Sequence, residues 1–83
     1  MSTAQLLTKL MALIGEVDMG IRHLGEAETY IELEMSRTDA EFDAGDALFK
    51  AAIKQALASI EESRDVLNQT KASLENVVRG VMQ

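Results

Sequence analysis

Few residues in this chain have the types and spacing that chemistry needs. The single histidine, His23, has Glu26 three positions further on, one turn away on a helix. Carboxylate-bridged di-iron bundles use the order Glu-x-x-His with several further carboxylates. Here the order is reversed and occurs once, so no metal centre is expected. Asp39, Glu41 and Asp43 begin like a calcium loop. The sixth position of that run is Ala44 and the twelfth Lys50, where such a loop needs Gly for its turn and Glu for bidentate coordination. The sequence has no Cys, which excludes thiolate zinc sites, cysteine nucleophiles and disulfides. No Gly-rich phosphate loop, nucleophile elbow or Ser/His/Asp set can be assembled. The expectation is a chain that is not an enzyme and carries no cofactor.

What remains is carboxylate in quantity. The 83 residues carry a net charge of −6, and it is unevenly spread. Residues 1–15 hold only Lys9. Residues 16–46 hold Glu16, Asp18, Glu26, Glu28, Glu32, Glu34, Asp39, Glu41, Asp43 and Asp46 against Arg22 and Arg37, a balance of −8. Residues 47–83 return to +1, with Lys50, Lys54, Arg64, Lys71 and Arg79 against Glu61, Glu62, Asp65 and Glu75. An acidic chain is a poor ligand for nucleic acid or an anionic membrane, both of which demand a basic surface. It suits a basic protein partner, because a concentrated negative pole steers cations towards it. Glu26, Glu28, Glu32, Glu34, Asp39, Glu41, Asp43 and Asp46 are therefore candidate partner-binding acids.

The elements that carry these residues follow from apolar spacing. Leu7, Leu10, Ile14, Val17, Ile21, Leu24, Glu28, Ile31 and Met35 recur at steps of three and four, and all but Glu28 are apolar. That spacing predicts a long amphipathic helix over about 3–35 with a 3.5-residue repeat. Glu28 is the exception, a charge at a seam position, which is costly unless paired. Ser2 and Gln5 have the spacing of a capping box at the helix start.

A second series runs Phe42, Asp46, Phe49, Ile53, Ala56, Ile60, Ser63, Leu67, Thr70, Leu74, Val77 and Val81 and predicts a helix over about 39–80. Between them, Ser36-Arg37-Thr38 reads as a turn, with Thr38 and Glu41 as a second capping box. Two helices of similar length with a short join make an antiparallel hairpin, an all-α fold in a single domain. The absence of Pro also permits one continuous helix, at about 1 kcal/mol for Gly45 in its interior.

A hairpin has one seam, and this chain has more apolar helical surface than one seam uses. Leu6, Leu13 and Met11 flank the first seam, and Met19 and Leu33 lie on its far side. In the second helix Ala44, Ala47 and Ala51 continue a stripe from Ala40 to Ala58 that points away from Ile53. These surfaces predict completion of a four-helix bundle, by dimerisation or by binding another protein. Leu6, Leu13, Met19, Leu33, Ala44, Ala47 and Ala51 are the candidate apolar contacts.

The functional expectation is a helical interaction module, such as a small chaperone, adaptor or assembly subunit. The alternative is a small acidic inhibitor, of the kind encoded by phage or mobile elements, occupying a basic nucleic-acid-binding surface. The Trp-x-Gly turn of ESX-type subunits and the Pro-containing turn of needle subunits are both missing, so no family is assigned. No basic, apolar leader and no run of about 18 apolar residues occurs, which places the expected location in the cytoplasm.

Overall fold

In the computed structural model the described residues are 1–41 and 47–83, with side chains described for 1–36 and 47–83. They form two helices, α1 (Thr3–Glu41) and α2 (Ala47–Met82). The long dimension is 61 Å. A single helix through the whole chain would reach about 120 Å at 1.5 Å per residue. The chain is therefore an all-α antiparallel hairpin, and the continuous helix is excluded.

α1 begins where the sequence places its cap. The Gln5 N–H donates to Ser2 Oγ at 3.1 Å, and the Ser2 N–H donates back to Gln5 Oε1 at 2.9 Å. Two of the free donors at the helix start are thereby satisfied. The end of α1 differs from expectation. The helix continues through Ser36, Arg37 and Thr38, the expected turn, to Glu41. No Gly or Pro occurs from Glu26 to Glu41, so nothing in that stretch breaks a helix already supported from Leu7 onward. The expected start of the second helix at Asp39 thus falls inside α1, and α2 starts at Ala47. The join, residues 42–46, lies outside the described residues. Arg79 sits in the last turn of α2, where a cation complements the partial negative charge of the carbonyl end.

Along α1 the seam is the expected one. Leu7, Ile14, Val17, Ile21, Leu24, Glu28, Ile31 and Met35 are half-buried and Leu10 is buried, at 8% exposure. Along α2 the seam is Lys50, Ile53, Leu57, Ile60, Arg64, Leu67, Lys71, Leu74, Val78 and Val81. Ile53, Ile60, Leu67, Leu74 and Val81 match the expected series. Phe49, Ala56, Ser63, Thr70 and Val77 do not, and are exposed; Phe42 and Asp46 lie outside the described residues. Apolar counting prefers Ser63 and Thr70 to Arg64 and Lys71 because it treats a cation as solvent-facing. The long methylene stems of Arg and Lys instead cover the seam while their charged ends reach outward.

Both charged ends find carboxylates on α1. Arg64 Nη1 donates to Glu28 Oε2 at 2.8 Å, and Lys71 Nζ donates to Asp18 Oδ1 at 2.8 Å. Ascending α1 from Asp18 to Glu28 means descending α2 from Lys71 to Arg64, so the two pairs also fix the antiparallel register. Gly20 stands close to Leu67: a Cβ there would lie 3.4 Å from Leu67 Cδ1.

Candidate interaction surface

Assign heptad letters with the seam at a and d, so that Leu7, Ile14, Ile21 and Glu28 are a in α1 and Leu57, Arg64, Lys71 and Val78 are a in α2. In an antiparallel pair the g positions of both helices share one broad side and the e positions share the other. The structure follows this rule. One open groove, of about 410 Å³, is lined by Met11, Ile14, Asp18, Lys71, Glu75, Val78 and Arg79, all at a, e or b positions. This e side is charged, with Asp18, Glu32, Lys54, Glu61 and Glu75 at e and Arg22, Asp65 and Arg79 at b.

The g side is different in kind. In α2 the g and c positions, residues 49, 52, 56, 59, 63, 66, 70, 73, 77 and 80, carry no Asp, Glu, Lys or Arg. All are exposed, and Val66 and Val77 keep about half their surface in solvent, at 54% and 49%. In α1 the g line is Leu6, Leu13, Gly20 and Ala27, reaching a charge at Glu34, while the flanking c line carries Lys9, Glu16 and His23. Leu6 and Leu13 are exposed. Charge-free exposed helix surface of this length is unusual on a water-facing face, which is ordinarily where charged residues collect.

The two g-position hydroxyls on this side are already satisfied. Ser63 Oγ donates to the Ser59 carbonyl at 2.9 Å, and Thr70 Oγ1 donates to the Val66 carbonyl at 3.0 Å. Covering a hydroxyl that bonds to its own helix leaves no orphan donor, so most of the desolvation penalty is absent at Ser63 and Thr70.

The apolar candidates divide among three faces. Leu6 and Leu13 lie on the g side. Met19 and Leu33 occupy f positions on the outer back of α1 and are exposed. Ala47 and Ala51, at e and b, are exposed on or towards the opposite broad side. Ala44 lies outside the described residues. The surface of α2 through Ala52, Ala56, Ser63, Val66 and Thr70 is the part sequence reasoning missed. Its signal was available: the charges of α2, from Lys50 to Arg79, fall at a, b, e and f and leave g and c empty.

The acidic candidates divide as well. Glu28 is spent on Arg64, and its side chain is only 18% exposed. Glu26 lies on the outer back of α1, 3.7 Å from His23 Nδ1, with both side chains in solvent. Glu32 is exposed on the e side and Glu34 is half-buried on the g side. The side chains of Asp39, Glu41, Asp43 and Asp46 lie outside the described set. The described acids thus face several directions instead of forming one patch. No group of three or more His, Cys, Asp or Glu among the described residues is placed to hold a metal ion, and none of their helices is long and apolar enough to cross a membrane.

Among the described residues one ionisable pair is shifted. The hydrogen bond from Lys71, reinforced by its charge, holds Asp18 below its ordinary carboxylate value, and the same contact raises Lys71.

Set against protein-family models, curated proteins and solved structures, the chain matches none.

Proposed function

We propose that this chain is a non-enzymatic helical interaction module, of the small chaperone, adaptor or assembly-subunit kind, which docks a partner helix on the g side of its hairpin. The observation that carries this reading is the charge-free surface of α2, from Ala52 to Gly80, with the Ser63 and Thr70 hydroxyls nearest the seam already bonded within the helix. Such a surface gains hydrophobic free energy when covered and loses little hydrogen bonding. Along α2 it also lacks the charges that would oppose covering it, and the charges of this side, Lys9, Glu16 and Glu34, stand on α1.

Photo-crosslinking in the native cell tests this. A photoreactive side chain at Val66, on the g side, captures a polypeptide, whether foreign or a second copy of the chain. The same group at Gln69, on the outer back of α2, captures none. Equal capture from both positions, or none from either, rejects the g side as a docking surface.

A further inference from the structure

We infer that the occupant of the g side is a second copy of this chain, with the two hairpins packed antiparallel about a twofold axis perpendicular to their length. The inference rests on the interaction-module reading and names its partner.

The first argument is area. The hairpin exposes 6118 Å², whereas a compact folded monomer of its mass, 9.1 kDa, exposes roughly 4,900 Å² by the usual size scaling. The excess is roughly 1,200 Å² per copy, so two copies shedding it bury about 2,400 Å², within the range of obligate homodimers. The geometry supplies a side of that size: 61 Å by 16 Å is roughly 1,000 Å² of projected face. Only one residue among the described ones is buried, Leu10, so a second layer of helices supplies the enclosure that the hairpin alone lacks.

Charge fixes the orientation. The half of the chain from 24 to 60, which contains the join, has Glu26, Glu28, Glu32, Glu34, Asp39, Glu41, Asp43 and Asp46 against Arg37, Lys50 and Lys54, a balance of −5. The other half, 1–23 with 61–83, carries Lys9, Arg22, Arg64, Lys71 and Arg79 against Glu16, Asp18, Glu61, Glu62, Asp65 and Glu75, a balance of −1. A parallel pair stacks −5 on −5. An antiparallel pair sets each acidic half beside the nearly neutral half of its mate and separates the two acidic ends by about a hairpin length, well beyond the screening distance of about 8 Å. The twofold arrangement is also closed, so it predicts dimers and no filaments.

Sedimentation equilibrium on the full chain, combined with single-cysteine crosslinking, decides the matter. The wild-type chain sediments at twice the 9.1 kDa monomer mass. The double variant Ser63→Glu/Val66→Glu, both positions being exposed in the hairpin, sediments as a helical monomer by circular dichroism. The control Gln55→Glu/Gln69→Glu, on the outer back, remains a dimer. Because the chain has no native Cys, Val66→Cys, near the middle of α2, joins to its mate through a short bis-maleimide, and Gly80→Cys, near the free end, does not. A wild-type chain that is monomeric and fully helical at high micromolar concentration overturns the dimer. It leaves the interaction-module reading standing if Val66 still captures a foreign polypeptide in the cell. A dimer that survives Ser63→Glu/Val66→Glu, or one that joins through Gly80→Cys, overturns the proposed face or orientation.

Discussion

Arg64 reaches across the seam to Glu28, Nη1 to Oε2 at 2.8 Å, joining residues 36 apart in the chain. The Glu28 side chain is mostly covered, and Arg64 Nε is buried without a hydrogen-bond partner. The pair therefore specifies register more than it stabilises, since desolvation offsets much of the attraction. Glu28→Ala removes the partner of a guanidinium whose side chain is 37% exposed and can turn to water, and is predicted to cost about 0.5–1.5 kcal/mol in urea unfolding followed by circular dichroism. Glu28→Leu combined with Arg64→Leu is predicted to match or exceed wild-type stability. If the single variant is neutral, the pair is not coupled in solution.

Asp18 and Lys71 make the corresponding contact one register step towards the free end. The folded pKa of Asp18 is depressed, so the pair's contribution is present above the ordinary carboxylate value of 3.8 and is lost as the pH falls through the lower, folded value. The folded pKa of Lys71 is raised, so its contribution is present below the ordinary value of 10.5 and is lost as the pH rises past it. Wild type is predicted to be more stable than Asp18→Asn at pH 7, with the difference closing at the acid end. A difference that persists undiminished into strong acid would assign the effect to packing instead of charge.

Gly15 has open space where a Cβ would go, with nothing within 4 Å. Gly15→Ala is predicted to stabilise the chain by about 0.5–1 kcal/mol, through helix propensity and a less flexible unfolded state. Gly20→Ala gains less, because its Cβ would press on Leu67 Cδ1 at 3.4 Å. Thermal unfolding of both variants orders them. A larger gain at Gly20 would contradict the close approach of the helices there.

Ser2→Ala removes the acceptor for the Gln5 N–H and breaks the reciprocal cap. The expected loss is about 0.5–1 kcal/mol, confined to the first turn and visible as faster amide exchange at Gln5.

Much of the fold was legible because its strongest signals are local. The Leu7-to-Met35 repeat defines the α1 seam, and Ser2 with Gln5 marks its start. Glu28 stood out as a seam charge that needed a partner. Its partner was not legible, because apolar counting moved the α2 seam from Arg64 and Lys71 to Ser63 and Thr70. Two cations whose stems pack and whose ends pair look, one residue at a time, like solvent-facing side chains. The error hid the surface as well, since Ala56, Ser63, Thr70 and Val77 were assigned to the inside. The extension of α1 through Ser36 to Glu41 was missed for a different reason: a Ser-Arg-Thr-Asp run has turn chemistry, but without Gly or Pro it does not stop a helix that tertiary contact already supports.

The concentration dependence of thermal unfolding tests the central claim most directly. If the g side is covered by a second copy, folding and association are coupled by mass action, and the Tm of the wild-type chain rises as its concentration rises. Ser63→Glu/Val66→Glu then melts at a lower temperature that no longer depends on concentration. A wild-type Tm that stays the same from low to high micromolar concentration, and is unchanged by Ser63→Glu/Val66→Glu, would contradict the account.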